Sequence, residues 1–188
     1  WMPRLEANAP HTTIVDASES IATKEDDDPH TWMSAKNALV IAHNIYNAVK
    51  LVNSKDSTIY KRRLDSLCNV IRATDQYVRE QTEKAQCKSF VIYHPALTSF
   101  ATDYGLEQIA VEEHGREPSA ADLQRIISTA KQKGVKTMFI QKEFANRNVD
   151  IIADAIKATM VEINPLGYDW EKEMRHIAKA TCLKEINN

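Results

Sequence analysis

Side chains able to bind a metal ion follow the apolar runs in the second half of the sequence. His94-Pro95 comes directly after the run 90–93, and later runs end at Glu112-Glu113-His114, Gln141-Lys142-Glu143 and Asn164-Pro165. If these runs are parallel strands, their carboxyl ends meet at one edge of a sheet, where ligands bind. Imidazole, carboxylate and amide groups are metal ligands. Because strand ends are commonly polar, the pattern is not specific by itself.

His30 is a second candidate ligand, in the segment Asp28-Pro29-His30-Thr31-Trp32. Pro29 fixes its own φ and biases Asp28 toward extended backbone, which makes a stiff turn. Asp28 could accept a hydrogen bond from the His30 ring and so fix the tautomer of a metal ligand. Trp32 could shield such a site from water. The alternative is that His30 is a surface-loop histidine and Asp28 a turn residue.

Hydrophobic spacing predicts the elements that position these side chains. Ser34 is expected to cap a helix that reaches Val52, and Ser57 a second helix to residue 83, about 40 Å long. Beyond residue 88, β-rich runs alternate with helical patterns, which indicates βαβ units, a parallel sheet and the α/β class. The predicted strands are 12–17, 89–93, 108–111, 136–140 and 159–163, and the further helices are 98–104, 119–133, 149–157 and 169–185.

Composition excludes several classes of protein. The net charge is −2 with both signs interspersed, so the basic stripe that a nucleic acid requires is missing. No apolar run approaches the roughly 18–20 residues of a membrane span. The start at Trp1 lacks a signal-peptide pattern, as a mature chain also would. Cys68, Cys87 and Cys182 show no CxxC spacing, so unreactive thiols are expected, with a Cys87–Cys182 bridge as the alternative.

Several motifs in register resemble a known family. Asp28-Pro29-His30-Thr31-Trp32 looks like the D-P-H-x-W motif of the metal-binding solute receptors of ABC importers, zinc-uptake branch. An acidic or His-rich loop often precedes that motif in this branch, and residues 25–28 resemble a short version. Residues 94–106 are similar to the second His segment of the family, H-x-A-x-x-x-F-x-x-x-Y-G-L. Segments at 117–119, 139–144 and 164–166 follow in the expected order, so the resemblance spans nearly the whole chain.

The resemblance implies two α/β lobes with parallel sheets and flanking helices, joined by a long spine helix. It predicts an incomplete N-terminal lobe at 1–56, the interlobe helix at 57–84 and a C-terminal lobe at 85–188. A strand and a loop with another His ligand would precede residue 1. His30 would come from the first lobe and His94 from the second. Asn164 stands where many relatives have a ligating Asp, and it offers only a neutral carbonyl oxygen.

The expected function is that of an extracytoplasmic binding protein that captures a divalent metal ion and delivers it to an ABC permease. Imidazole ligands favour Zn2+, with Mn2+ as the second choice. The protein is expected to be periplasmic, or held at the membrane only by an upstream lipid anchor. The expected metal ligands are His30, His94 and Asn164, with Asp28, Trp32, Glu113 and Glu143 around them.

Two rival functions remain from the sequence. A metal-dependent hydrolase would need an open coordination position and a general base. The sequence has no H-E-x-x-H or G-x-S-x-G motif and no Gly-rich phosphate loop, so no enzyme is expected. An adhesin-like surface lipoprotein is the second rival, because relatives of the family carry that description.

Overall fold

Two long helices follow a short first helix in the first half of the structure. The computed structural model describes residues 2–22, 28–113, 115–144 and 147–182. The helices are α1 (Met2–Asn8), α2 (Ala35–Val52) and α3 (Ser57–Lys84). Ser34 caps α2 as predicted, since its Oγ accepts the backbone N–H of Asn37 at 3.0 Å.

The helix α3 is the long spine that the sequence predicts. It has 28 residues, which gives about 42 Å at 1.5 Å per residue. Ser57 is its first residue and Asp56 occupies the cap position, so the predicted cap was wrong by one residue. Residues three and four apart share a face of a helix, and one stripe of α3 is accordingly buried: Leu64, Cys68, Ile71, Thr74, Val78 and Thr82.

The second half is a four-stranded parallel sheet with helices between its strands. The strands are β1 (Ser89–Ile92), β2 (Glu107–Ala110), β3 (Thr137–Gln141) and β4 (Thr159–Ile163), in the order β2-β1-β3-β4. The helices are α4 (Thr98–Asp103), α5 (Ala120–Gln132), α6 (Arg147–Ile156) and α7 (Trp170–Ala180). All three strand pairs are parallel, so the predicted α/β class is confirmed.

Alternating side chains place two apolar clusters on opposite faces of the sheet. Phe90 and Ile92 of β1 belong to a cluster with residues of α3 and α7, whereas Val91 belongs to one with residues of α5 and α6. Met33, three residues after His30, is 1% exposed and lies in the Phe90 cluster. The turn after His30 therefore packs on the apolar cluster between the sheet and the helices α3 and α7. The predicted lobe boundaries themselves stay a prediction.

The structure differs from the predicted elements at both ends. Residues 12–17 form no strand, and among the described residues no strand pairs with them. Their β-rich composition does not suffice, because a strand needs a neighbour and a face to bury. The last helix ends at Ala180 rather than residue 185. The acidic residues 25–27 and the terminal residues 183–188 lie outside the described part of the chain.

The cysteines are free thiols, so the structure contains no Cys87–Cys182 bridge. Cys182 donates to the carbonyl of Gln81 at 2.7 Å, and Cys87 donates to the carbonyl of Ser89 at 3.2 Å. Within the described ranges, every helix is too short or too polar to cross a membrane.

Candidate metal centre

His30 lies in a turn that Asp28 holds in place. The Asp28 carboxylate accepts two hydrogen bonds from His30, one from its backbone N–H at 2.8 Å and one from its ring Nδ1–H. Thr31–Met33 then form a single 3-10 turn in which Thr31 and Met33 are buried. The contact predicted between Asp28 and the His30 ring is therefore present, and it leaves Nε2 as the ring atom with an available lone pair.

His94 follows β1 at the carboxyl end of the sheet. Its Nδ1 lies 3.2 and 3.4 Å from the two carboxylate oxygens of Glu112. Because Ile92 pairs with Ala110 in parallel register, the residues two positions further on, 94 and 112, lie level with each other. On another side, the Phe144 ring stacks on the His94 ring with 4.6 Å between centroids and an interplanar angle of 10°.

The two imidazole rings meet at this edge of the sheet. Their centroids are 5.6 Å apart, and their planes are inclined by 83°. Two imidazoles bound through nitrogen to one tetrahedral zinc ion have centroids about 5 Å apart, because each Zn–N bond is about 2.0–2.1 Å long. In both rings a carboxylate engages Nδ1, so Nε2 is the atom available to a metal. The pair has the spacing and the tautomer expected of two ligands to one ion.

The Asp28 side chain is 2% exposed and also contacts the second histidine segment. Its Oδ2 accepts the backbone N–H of Thr98, the first residue of α4, at 3.0 Å. Burial acts to raise the pKa of Asp28, but hydrogen bonds from the His30 ring, the His30 N–H and the Thr98 N–H outweigh it and leave the pKa below its ordinary value. Asp28 is therefore ionised at neutral pH and favours a proton on His30 Nδ1.

Trp32 attaches the His30 turn to the segment that follows β4, at the same carboxyl end of the sheet as His94. Its Nε1–H donates to the carbonyl of Pro165 at 2.8 Å, and Trp170 Nε1–H donates to the carbonyl of Trp32 at 2.8 Å. The Trp32 ring lies edge-on to His30, with 5.3 Å between centroids. Trp32 therefore lies beside the His30 ring and its indole nitrogen anchors the turn, whereas its role as a shield from water stays a prediction.

Asn164, a predicted ligand, is used in a local turn. It directly follows β4 as expected, but the residue is exposed and its Oδ1 accepts the backbone N–H of Leu166 at 3.2 Å. The backbone carbonyl of Asn164 also accepts the N–H of Gly167 at 2.8 Å. One lone pair of the amide oxygen is therefore used two residues along the chain, and the role of Asn164 as a metal ligand stays a prediction.

The two glutamates expected around the site are both exposed. Glu113 forms an isolated antiparallel bridge with Arg116, and Glu143 lies in the 3-10 turn Lys142–Phe144. Successive side chains of an extended chain point to opposite faces. Glu112 therefore meets His94, and the expected place of Glu113 and Glu143 around the metal site stays a prediction.

Glu112 and Phe144 are the neighbours of His94 that the sequence prediction missed. The sequence showed Glu112 only as one of two adjacent carboxylates after a run, and without the register of the strands it could not be distinguished from Glu113. It is 7% exposed, as a carboxylate paired with an imidazole can be. Phe144 gave no comparable signal, since a 3-10 turn rather than a regular strand aims its ring at His94.

Two other described histidines have local roles. His43 Nδ1 bonds the carbonyl of Leu39 at 2.8 Å within α2, and His176 Nε2 bonds the carbonyl of Glu162 at 2.9 Å. His114 lies outside the described residues.

Across the described ranges, no group of three or more His, Cys, Asp and Glu residues is arranged to hold a metal ion. The arrangement there is an imidazole pair backed by two carboxylates.

Comparison with known proteins identifies similar sequences and folds. The chain is 24% identical over 208 residues to the high-affinity zinc uptake system protein ZnuA of Bacillus subtilis (strain 168), covering 98% of this chain. A crystal structure of ZnuA matches with a TM-score of 0.90 at 26% identity, covering 97% of this chain and 74% of that one. A ZnuA deletion mutant with zinc bound matches with a TM-score of 0.88 at 26% identity, covering 95% and 71%.

The match to the family extends over almost the whole sequence. The chain spans 65% of the length of the Bacillus subtilis protein. The family described as zinc-uptake complex component A, periplasmic, matches residues 1–181. The same span contains the long helix, the parallel sheet and both histidine segments. The chain belongs to the zinc-uptake complex component A family.

Proposed function

We propose that this chain is the metal-binding part of an extracytoplasmic receptor that captures zinc and delivers it to the permease of an ABC importer. The observation that carries the proposal is the convergence of His30 and His94, with 5.6 Å between ring centroids and a carboxylate on each Nδ1. The zinc named in the relatives supports the choice of metal. Because the chain spans 65% of the Bacillus subtilis protein, the activity and partners of the whole protein are part of this proposal.

Zinc would bind the Nε2 atoms of His30 and His94. Asp28 and Glu112 accept hydrogen bonds at the opposite ring nitrogens, which fixes each tautomer and increases the electron density at Nε2. Phe144 against the His94 ring reduces water access, which strengthens the interaction between a cation and the nearby carboxylates. The receptor would thus hold its cargo through neutral ligands with charged groups behind them.

The remaining coordination positions are open to other donors. A tetrahedral zinc ion takes four ligands, and the described residues offer two imidazoles at this point. Asn164 stays a candidate for a third ligand, because an amide oxygen has two lone pairs and its Oδ1 uses one of them for the N–H of Leu166. Water or a segment of the longer protein would supply the rest. Imidazole donors favour zinc over manganese, which prefers oxygen-rich sites.

Zinc titration of the purified chain tests the proposal directly. We expect tight binding by the parent chain, its loss in His94→Ala, and its retention in His43→Ala, because His43 is bonded within its own helix. In cells, replacing the gene of the full protein by its His94→Ala form should abolish growth at low zinc. Normal growth of that strain would reject the transport role. Zinc-dependent hydrolysis by the purified protein would favour the rival enzyme.

A further inference from the structure

Gln141 is a buried polar residue at the end of β3 that contacts the main chain of His94. It is 5% exposed, and its Nε2–H donates to the His94 carbonyl oxygen at 3.1 Å. This contact joins the strand β3 to the segment that carries the proposed zinc ligand. It involves the backbone of His94, whereas Glu112 and Phe144 contact its ring.

The register of the sheet explains why the Gln141 side chain reaches this carbonyl. Ile92 pairs with Phe139, so residues 94 and 141, two positions further on, lie level on neighbouring strands. The backbone N–H of Tyr93 still bonds the carbonyl of Phe139 at 3.2 Å. His94 lies beyond β1, where the strand has ended, and the amide of Gln141 continues the hydrogen bonding between the two strands at this level.

The oxygen of the same amide has no hydrogen-bond partner among the described residues. Gln141 Oε1 is buried and accepts no hydrogen bond from the described residues. Turning the amide over would not remedy this, because it would place Oε1 against the His94 carbonyl oxygen. The buried amide is therefore held in one orientation, with Nε2 on the His94 carbonyl and Oε1 without a donor among the described residues.

Resting on the proposed zinc site, we infer that Gln141 is a positioning residue for His94, whose main chain it holds through Nε2. The role requires a neutral amide, because a carboxylate has no hydrogen to donate and a hydrocarbon has neither donor nor acceptor. A metal ligand has to be held within about 0.5 Å of its productive position. Releasing the His94 carbonyl would let the ring leave that range.

The test compares two changes at Gln141 with matched controls. Gln141→Glu keeps the size and removes the donor, and Gln141→Leu removes both polar atoms. Thr137→Val removes a buried hydrogen bond, to the Ala180 carbonyl at 2.9 Å, from the other end of the same strand. Gln124→Leu removes an exposed amide from α5. Zinc affinity is measured by competition titration, and the ring nitrogen signals of the histidines are measured by NMR in the metal-free chain.

We expect both Gln141 variants to weaken zinc binding by about 10-fold or more, as losses around a ligand do, and to shift the ring signals of His94 but not of His43. Thr137→Val and Gln124→Leu should keep the zinc affinity and the His94 ring signals of the parent chain. Wild-type affinity with unmoved His94 signals in Gln141→Leu would overturn the inference, as would an equal loss in Thr137→Val. Absence of zinc binding by the parent chain would reject the proposed function, while the metal-free NMR comparison would still decide the positioning role.

Discussion

Asp28 and Thr98, 70 positions apart in the sequence, are joined by a hydrogen bond of 3.0 Å from the Thr98 backbone N–H to the Asp28 carboxylate. The same carboxylate accepts the ring N–H and the backbone N–H of His30. Thr98 begins α4, four residues after His94. One buried carboxylate therefore fixes the position of the His30 turn relative to the segment that carries His94.

Replacing Asp28 by Ala should weaken zinc binding by roughly 10–100-fold, the cost usual for removing a partner of a ligating histidine. The His30 ring would lose its acceptor, and the Thr98 N–H would be left buried without one. Asp28→Asn should lose less zinc affinity, since the Oδ1 of asparagine can still accept a hydrogen bond from His30. The measurement is competition titration, with Asp65→Ala as a control because Asp65 is exposed on α3. Equal affinities for the parent and Asp28→Ala would contradict a coupling role for this carboxylate.

The two histidines should act as one unit. His30→Ala and His94→Ala should each remove most of the tight binding, and the double variant should be little weaker than either, because one ion needs both rings. His43→Ala is the control, since its ring is bonded to Leu39 in α2. Additive losses in the double variant would mean that the rings bind separate ions.

Zinc affinity should fall as the pH is lowered from about 7 to about 5. Protons compete with zinc for neutral imidazole, which titrates near pH 6.5 in peptides, whereas carboxyl groups titrate near pH 4. A chain with Asp26 and Asp27 changed to Asn should retain the affinity and its pH dependence, and His94→Ala should lose both. If the Asp26/Asp27 variant loses the tight site and His94→Ala keeps it, the acidic segment rather than the histidine pair captures the metal.

Tyr104 should make the stability of the fold sensitive to alkaline pH. Burial, followed by the hydrogen bond that its hydroxyl donates to Asp75 at 2.9 Å, raises the pKa of Tyr104 above its ordinary value. The folded state therefore holds this proton more tightly than the unfolded state, in which tyrosine titrates near pH 10. The contribution of Tyr104 is fully present below about pH 10 and declines as the pH rises beyond it.

Tyr104→Phe tests this linkage. At neutral pH it should lower the free energy of unfolding by about 1 kcal/mol, the usual value of one hydrogen bond. The difference from the parent chain should stay constant up to about pH 10 and shrink above it, as measured by urea denaturation at several pH values. Tyr168→Phe is the matched control, because Tyr168 is fully exposed. A difference that also stays constant above about pH 10 would contradict the assignment.

Local signals predicted much of the secondary structure. Ser34 and Ser119 were recognised as helix caps from their side chains and the patterns that follow, and both accept the expected backbone N–H. The length of α3 followed from an apolar stripe uninterrupted by Gly or Pro. In contrast, residues 12–17 had the composition of a strand but found no partner strand among the described residues, and composition cannot supply one.

Sequence by itself determined the chemistry of each segment and the type of each element: the His30 turn with its Asp28 acceptor, His94 after a strand, and the alternation of strands and helices. Only the tertiary structure decided which groups meet. Glu112 rather than Glu113 faces His94, and the Gln141 amide bonds the His94 carbonyl. The reason is physical. Turns and caps depend on neighbouring residues, whereas contacts between strands depend on a register in which a shift of one residue reverses every side chain.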